Sequence, residues 1–88
     1  MSDAYTYILQ CADDTLYVGW TNDLARRLAA HNAGVGSRYT RGRRPVRLVF
    51  WERHDSSAAA RRREQALRRL SRMQKLRLIA ACEGREEL

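Results

Sequence analysis

Leu16-Tyr17-Val18-Gly19-Trp20-Thr21-Asn22-Asp23-Leu24-Ala25-Arg26-Arg27-Leu28-Ala29-Ala30-His31 is the stretch that decides the fold. A short strand ends at Gly19, the chain turns, and Thr21-Asn22-Asp23 offers three consecutive helix-capping residues. The helix that follows is expected from about Asp23 to Asn32. Asn32-Ala33-Gly34 is its stop, with Gly34 in a left-handed cap. Leu24, Arg27, Leu28 and His31 follow the i, i+3, i+4, i+7 rule and share one face. Leu24 and Leu28 suit a core stripe. A guanidinium and an imidazole on the same stripe break the pattern, and a local break of this kind marks a candidate site.

Working outward toward the N-terminus, residues 1–3 read as a loose end. Residues 4–11 are rich in aromatic and strand-compatible side chains. Tyr5, Tyr7 and Leu9 lie on one face of this strand, Thr6 and Ile8 on the other. Ala12-Asp13-Asp14-Thr15 is a short polar turn. The first two strands therefore form a hairpin with tyrosines in both arms.

Toward the C-terminus, residues 35–45 read as a loop carrying Arg38, Tyr39, Arg41, Arg43 and Arg44. It is either a solvated, mobile connection or a surface that follows a phosphate backbone and stacks on a base. Four like charges this close repel one another without an anion, which favours the second reading. Val46–Glu52 is a third strand, with Val46, Leu48 and Phe50 alternating with Arg47, Val49 and Trp51. Its nearly continuous apolar run suits a central or doubly covered position. Ser56-Ser57 caps a helix over 58–70, with Ala60, Arg63, Leu67 and Leu70 as its inner stripe. Glu64 is the one carboxylate among the arginines of that helix and lies on the flank of the stripe. It forms an i, i+4 pair with Arg68, worth only ~0.3–0.5 kcal/mol, or it is a carboxylate held ionised for a hard cation. Ser71 caps a last helix to about Cys82, with Met73, Leu76, Ile79 and Ala80 as its core stripe. The two helices suggest an αα-hairpin packed on the sheet. Gly84 ends the last helix and an acidic tail follows.

At 88 residues the chain has room for one domain, taken as 1–88 with its core at about 4–83. A chain of this size buries roughly 60–65% of its unfolded surface, which suits one layer of sheet with helices against it. The formal net charge is +7, and sixteen of the seventeen basic residues are arginines, Lys75 being the exception. Guanidinium forks match phosphate oxygens, so the charge points to a polyanion or, more blandly, to a solvated basic surface. Cys11 and Cys82 form no metal-binding spacing and read as free thiols of a reducing compartment. No apolar run approaches the ~20 residues of a membrane span, and the N-terminus lacks a signal-peptide pattern. A cytoplasmic chain without a membrane partner is expected, and nothing in the sequence names a protein partner.

These motifs together resemble the GIY-YIG nuclease superfamily, in its small, stand-alone, single-domain bacterial branch. Tyr17-Val18-Gly19 stands for the second half of the name motif, and Tyr5-Thr6-Tyr7 stands where Gly-Ile-Tyr would be. The Asp-Leu-x-x-Arg helix (23–27), the Gly-Ser-Arg-Tyr-Thr loop, the Arg-Pro-Val strand start and the Arg-Glu-Gln-Ala-Leu helix (63–67) extend the likeness over nearly the whole chain. The resemblance implies an α+β fold, a small three-stranded antiparallel sheet flanked by helices. It implies hydrolysis of a nucleic-acid phosphodiester, DNA in the first place, with one divalent ion, Mg²⁺ or Mn²⁺. A repair or recombination role on single-stranded or structurally irregular DNA goes with it. By resemblance, Tyr7 and Tyr17 take the places of the two motif tyrosines. Arg27 takes that of the helix arginine, His31 that of the aromatic or histidine one turn later, and Glu64 that of the metal-binding glutamate. Many members carry an asparagine after that glutamate; here the region reads Ser71-Arg72-Met73-Gln74-Lys75, and Lys75 resembles the stand-alone branch.

In this scheme Arg27 clamps the non-bridging oxygens, Tyr17 accepts a proton from water, and His31 is a second base or a relay to Tyr17. Tyr7 orients the water or Tyr17, and Glu64 holds the metal. Arg38, Tyr39, Arg41, Arg43, Arg44 and Lys75 are the expected nucleic-acid contacts. The alternative is a module of the same fold that binds nucleic acid with little or no cleavage.

Overall fold

The computed structural model describes residues 3–82. The elements run β1 (Ala4–Gln10), β2 (Leu16–Thr21), α1 (Leu24–Asn32), α2 (Arg38–Arg41), β3 (Arg47–His54), α3 (Ser57–Arg68) and α4 (Arg72–Ala81). The strands form one antiparallel sheet in the order β2-β1-β3. Asp14 takes a left-handed φ of 69° in the β1–β2 turn, a conformation that Asp tolerates better than most residues. Asp13 steadies the turn by accepting from the Thr15 hydroxyl at 2.6 Å.

Strand periodicity gives the sheet two apolar faces. On one, Tyr7, Leu9 and Cys11 pack against Leu24 of α1 and Val46. On the other, Ile8, Val18 and Phe50 pack against Leu67 of α3. Helices α1 and α3 therefore cover opposite faces. Two polar contacts fix α3: buried Thr6 donates its hydroxyl to the Ala60 carbonyl at 2.8 Å, and Arg63 meets Glu52 of β3 through two bonds of 2.9 and 3.1 Å. A bidentate pair of this kind sets orientation as well as attraction.

Several expectations need correction. Strand β3 does not alternate throughout. Ile8 pairs with Phe50 and Leu9 with Leu48, so Val49 is an extra residue in a bulge. Leu48 and Trp51 join the α1 face, while Val49 and Phe50 both join the α3 face. The strand is an edge, with β1 in the centre. Its apolar run reflects the bulge and cover on both faces, not a central position. Residues 38–41 of the expected loop form a helical turn, because Ser37 caps it by accepting from the Thr40 amide at 3.1 Å. In α4, Met73 is 60% exposed and Ala80 is also exposed. Leu78, Ile79 and Cys82 are the residues that meet the sheet cluster. Apolar residues lie on several sides of this helix, so periodicity alone does not select the face, and contact with the sheet does. Helices α3 and α4 both rest on the sheet, α4 against β3, and Leu78 and Ile79 of α4 join the cluster that holds Leu67 of α3. Gly84 and the acidic tail lie outside the described residues.

Candidate active site

The site begins with a missing side chain. Tyr7 pairs across the ladder with Gly19, and both belong to the α1 face of the sheet. A Cβ at Gly19 would stand 2.5 Å from the Tyr7 hydroxyl oxygen and 2.7 Å from Cζ. Only glycine lets the Tyr7 ring lie over β2, the edge strand. Tyr7 is buried there, with its hydroxyl 3.0 Å from Nε2 of His31.

His31 is fully buried, and its other nitrogen, Nδ1, is 2.7 Å from the Thr40 hydroxyl. Burial and the nearby Arg27 guanidinium push the imidazole down to about 4, so it is neutral at physiological pH. A neutral ring donates from one nitrogen and accepts at the other. Thr40 can give its own proton to Ser37, whose Oγ is 3.0 Å and carbonyl oxygen 3.4 Å away. Nδ1–H then donates to Thr40, and Nε2 accepts from the Tyr7 O–H. This direction satisfies every group in the chain.

Tyr7 keeps that proton. Burial raises its pKa; Arg27 opposes the rise, while the charges of Tyr17 and Glu64 add to it. Arg27 spends one arm holding the Gly36 carbonyl at 2.9 Å. Its Nε is buried and has no partner among the described residues. A buried charged donor without an acceptor is costly, and a phosphate oxygen would satisfy it. The Glu64 side chain is 16% exposed, with Oε2 2.8 Å from Arg68 Nη2. The i, i+4 pair expected as the bland reading of Glu64 is therefore present. Arg68 also donates to the Val18 carbonyl at 3.2 Å, which ties α3 to β2.

Tyr17 is half-buried, edge-on to His31 with centroids 5.2 Å apart and stacked on Tyr39 at 5.8 Å. The His31 nitrogens thus serve Tyr7 and Thr40, and Tyr17 meets the imidazole only through its ring. Arg43 lies 4.0 Å over Tyr39, donates to its carbonyl at 2.8 Å and pairs with Asp13 at 3.0 Å. Arg44 donates to the carbonyls of Arg41 and Asn32 at 2.9 and 3.3 Å. These two arginines staple α2 to the hairpin turn and to the end of α1. Arg38 and Arg41 are exposed, with side chains unpaired among the described residues. Lys75 is half-buried near the start of α4 and makes none of the contacts joining Tyr7, His31, Arg27 and Glu64.

Among the described residues no three of His, Cys, Asp and Glu come together as a metal cluster, and Cys11 and Cys82 are in no disulfide. Glu64 is the candidate ligand that the family likeness puts forward. A Mg²⁺-like ion fits a single carboxylate, because such ions keep several waters and take the rest of their oxygens from substrate phosphate. Sequence reasoning gave Gly36, Ser37 and Thr40 no role beyond a loop likeness and named Arg68 only as the i, i+4 partner of Glu64. Gly36 lies so close over His31 that a Cβ would stand 2.5 Å from Nδ1. The available signal was a Ser three residues before a Thr, a helix-start pattern masked by the arginines around it.

A family profile described as the GIY-YIG catalytic domain matches residues 3–77. A UPF0213 protein of Natronomonas pharaonis is 54% identical over 79 residues, covering 90% of this chain and 93% of that relative. One from Clostridium perfringens is 49% identical over 83 residues, covering 94% of this chain and 89% of the relative. The solution structure of a UPF0213 protein from Bacillus halodurans aligns with TM-score 0.60 at 41% identity, covering 94% of this chain and 88% of that one. A second solution structure, of a protein from E. faecalis, aligns with TM-score 0.62 at 31% identity, covering all of this chain and 94% of that one.

Proposed function

The chain belongs to the GIY-YIG family of nuclease catalytic domains, and from that premise we propose that it is a metal-dependent endonuclease hydrolysing phosphodiester bonds of DNA. Its substrates in this reading are single-stranded or structurally irregular DNA met in repair or recombination. The observation that carries the reading is the convergence on Tyr7. Tyr7 and Arg27 meet on the α1 face, the tyrosine hydroxyl fixed by buried His31 and the guanidinium carrying a buried donor without a partner among the described residues.

Glu64 would hold Mg²⁺ or Mn²⁺, which when bound supplies Lewis-acid stabilisation of the leaving oxygen. Arg27 directs its positive charge at the non-bridging phosphate oxygens, where negative charge grows in the transition state. Tyr17, the less buried of the two tyrosines, accepts the proton of the attacking water after passing its own hydroxyl proton to solvent. Tyr7 stays protonated, and its fixed hydroxyl orients that water. Neutral His31 positions Tyr7; being fully buried, it does not meet the water itself. Arg38, Tyr39 and Arg41 follow the flanking backbone, Arg43 and Arg44 shape that surface, and Lys75 adds charge from α4. No helix among the described residues is long and apolar enough to cross a membrane. Two cysteines in no disulfide suit a reducing, cytoplasmic setting.

One observation favours the alternative of a binding module that does not cut: an oxygen of Glu64 is already paired with Arg68. An assay of single-stranded, duplex and branched DNA in Mg²⁺, in Mn²⁺ and in EDTA separates the two. The endonuclease reading expects cleavage of at least one substrate, abolished by EDTA. Salt-sensitive binding without cleavage in either metal would leave the binding module standing.

A further inference from the structure

We propose that Trp20 and Arg61 form a slot that takes one unpaired nucleobase beside Glu64. The inference rests on the nucleic-acid reading above and adds the base-binding part of the same site.

Trp20 is opposite Thr6 in the ladder, so it faces α3, away from the tyrosines. It lies on the edge strand and is partly exposed. Arg61, Glu64 and Arg68 are spaced i, i+3, i+7 and so line one side of α3. Arg61 meets Trp20, and Arg68 meets the Val18 carbonyl two residues earlier on β2. Glu64 lies between them. The rise from Glu64 to Arg61 is roughly 4.5 Å along the helix axis, about the reach of one nucleotide step.

Two arginine–aromatic contacts among the described residues differ in a way that points to a ligand. Arg43 is closed onto Tyr39 at 4.0 Å and is held by two further bonds. Arg61 stands 5.9 Å from the Trp20 centroid. Its side chain is exposed and makes no hydrogen bond or ion pair among the described residues. Two stacked layers at the ~3.4 Å spacing of nucleic acid need roughly 6.8 Å between indole and guanidinium. The 5.9 Å from Arg61 Cζ to the indole centroid is less than that, so a base enters as the exposed Arg61 side chain swings outward. A base between them stacks on the indole from one side and meets the cation on the other, a contact every base can make. A paired base is already stacked in its duplex, so the slot selects unpaired nucleotides.

The test measures binding in Ca²⁺, which limits cleavage during the titration, of a twelve-residue oligothymidylate and of an abasic strand with the same phosphates. The wild type is expected to prefer the thymidylate by about tenfold, within the roughly 5- to 150-fold span of one base–aromatic stack. Trp20→Ala removes that preference and Trp20→Phe keeps most of it. Arg61→Ala, at an exposed position where folding is not at issue, reduces it. In a Trp51→Phe background, the fluorescence of Trp20 is quenched by the thymidylate but not by the abasic strand. Equal affinity of the wild type for both strands, or a preference that survives both Trp20→Ala and Arg61→Ala, overturns the slot while leaving the nuclease reading intact. Failure to bind either strand overturns both.

Discussion

His31 is the residue on which the local chemistry turns. Its ring is buried and neutral, and both nitrogens are engaged, with Tyr7 and with Thr40. Its folded pKa of about 4 lies below the ordinary 6.5. The unfolded chain therefore binds a proton more readily than the folded one between those values. Stability from this residue is fully present above about pH 6.5 and is lost as pH falls toward 4. At ~1.36 kcal/mol per pKa unit the loss is on the order of 2–3 kcal/mol. Urea unfolding at pH 7 and pH 4.5 should show the wild type losing stability over this interval and His31→Gln losing markedly less. Equal losses in the two proteins would show that His31 is not the group being titrated. The same neutral ring accepts the hydrogen bond from the Tyr7 hydroxyl, so one protonation event would break the hydrogen-bond chain that fixes the site.

At the scale of elements, the short helix α2 acts as a lid on that ring. Ser37 caps it, Thr40 reaches down to Nδ1, and Gly36 passes close over the imidazole. The two glycines that flank α2 separate packing from mere flexibility. At Gly36 a Cβ would stand 2.8 Å from the His31 backbone Cα, which cannot swing aside; at Gly42 it meets nothing within 4 Å, and the backbone there is one that alanine adopts. Gly36→Ala should destabilise by about 1–3 kcal/mol and reduce cleavage, although Gly36 is not placed on substrate. Gly42→Ala should stay within about 0.5 kcal/mol of wild type in the same denaturant titration. Similar values for both would mean that α2 is not locked to His31. This lid was the part of the site least legible in the sequence. Its four residues are too few for a periodic pattern, and the charges around them read as loop. Arg27 and His31 were legible because they interrupt a longer, regular stripe. The bulge at Val49 was hidden, because an inserted residue in an apolar run looks the same as a strand covered on both faces.

Taken whole, the molecule divides its labour across one sheet. The α1 face carries Tyr7, Tyr17, Arg27 and His31, the α3 face carries Glu64, Arg68 and Trp20, and β2 at the edge lies between the two sets. Gly19 on that edge leaves room for the Tyr7 ring. The order of elements and the hairpin were legible from turn and cap residues. The meeting of two faces at one edge was not, because it depends on strand order and on long-range pairing that local patterns do not encode. Net charge works at this scale too: with a formal charge of +7 the protein attracts any polyanion, so binding alone does not distinguish a nuclease from a basic surface. Cleavage does, and Glu64→Gln isolates it by removing the carboxylate charge while keeping the side chain's size. The most direct measurement is single-turnover cleavage of a labelled strand in Mn²⁺ by wild type and Glu64→Gln, with binding of the same strand measured alongside. The expected result is comparable binding and a cleavage rate at least a hundredfold lower in Glu64→Gln; cleavage at the wild-type rate would contradict the account.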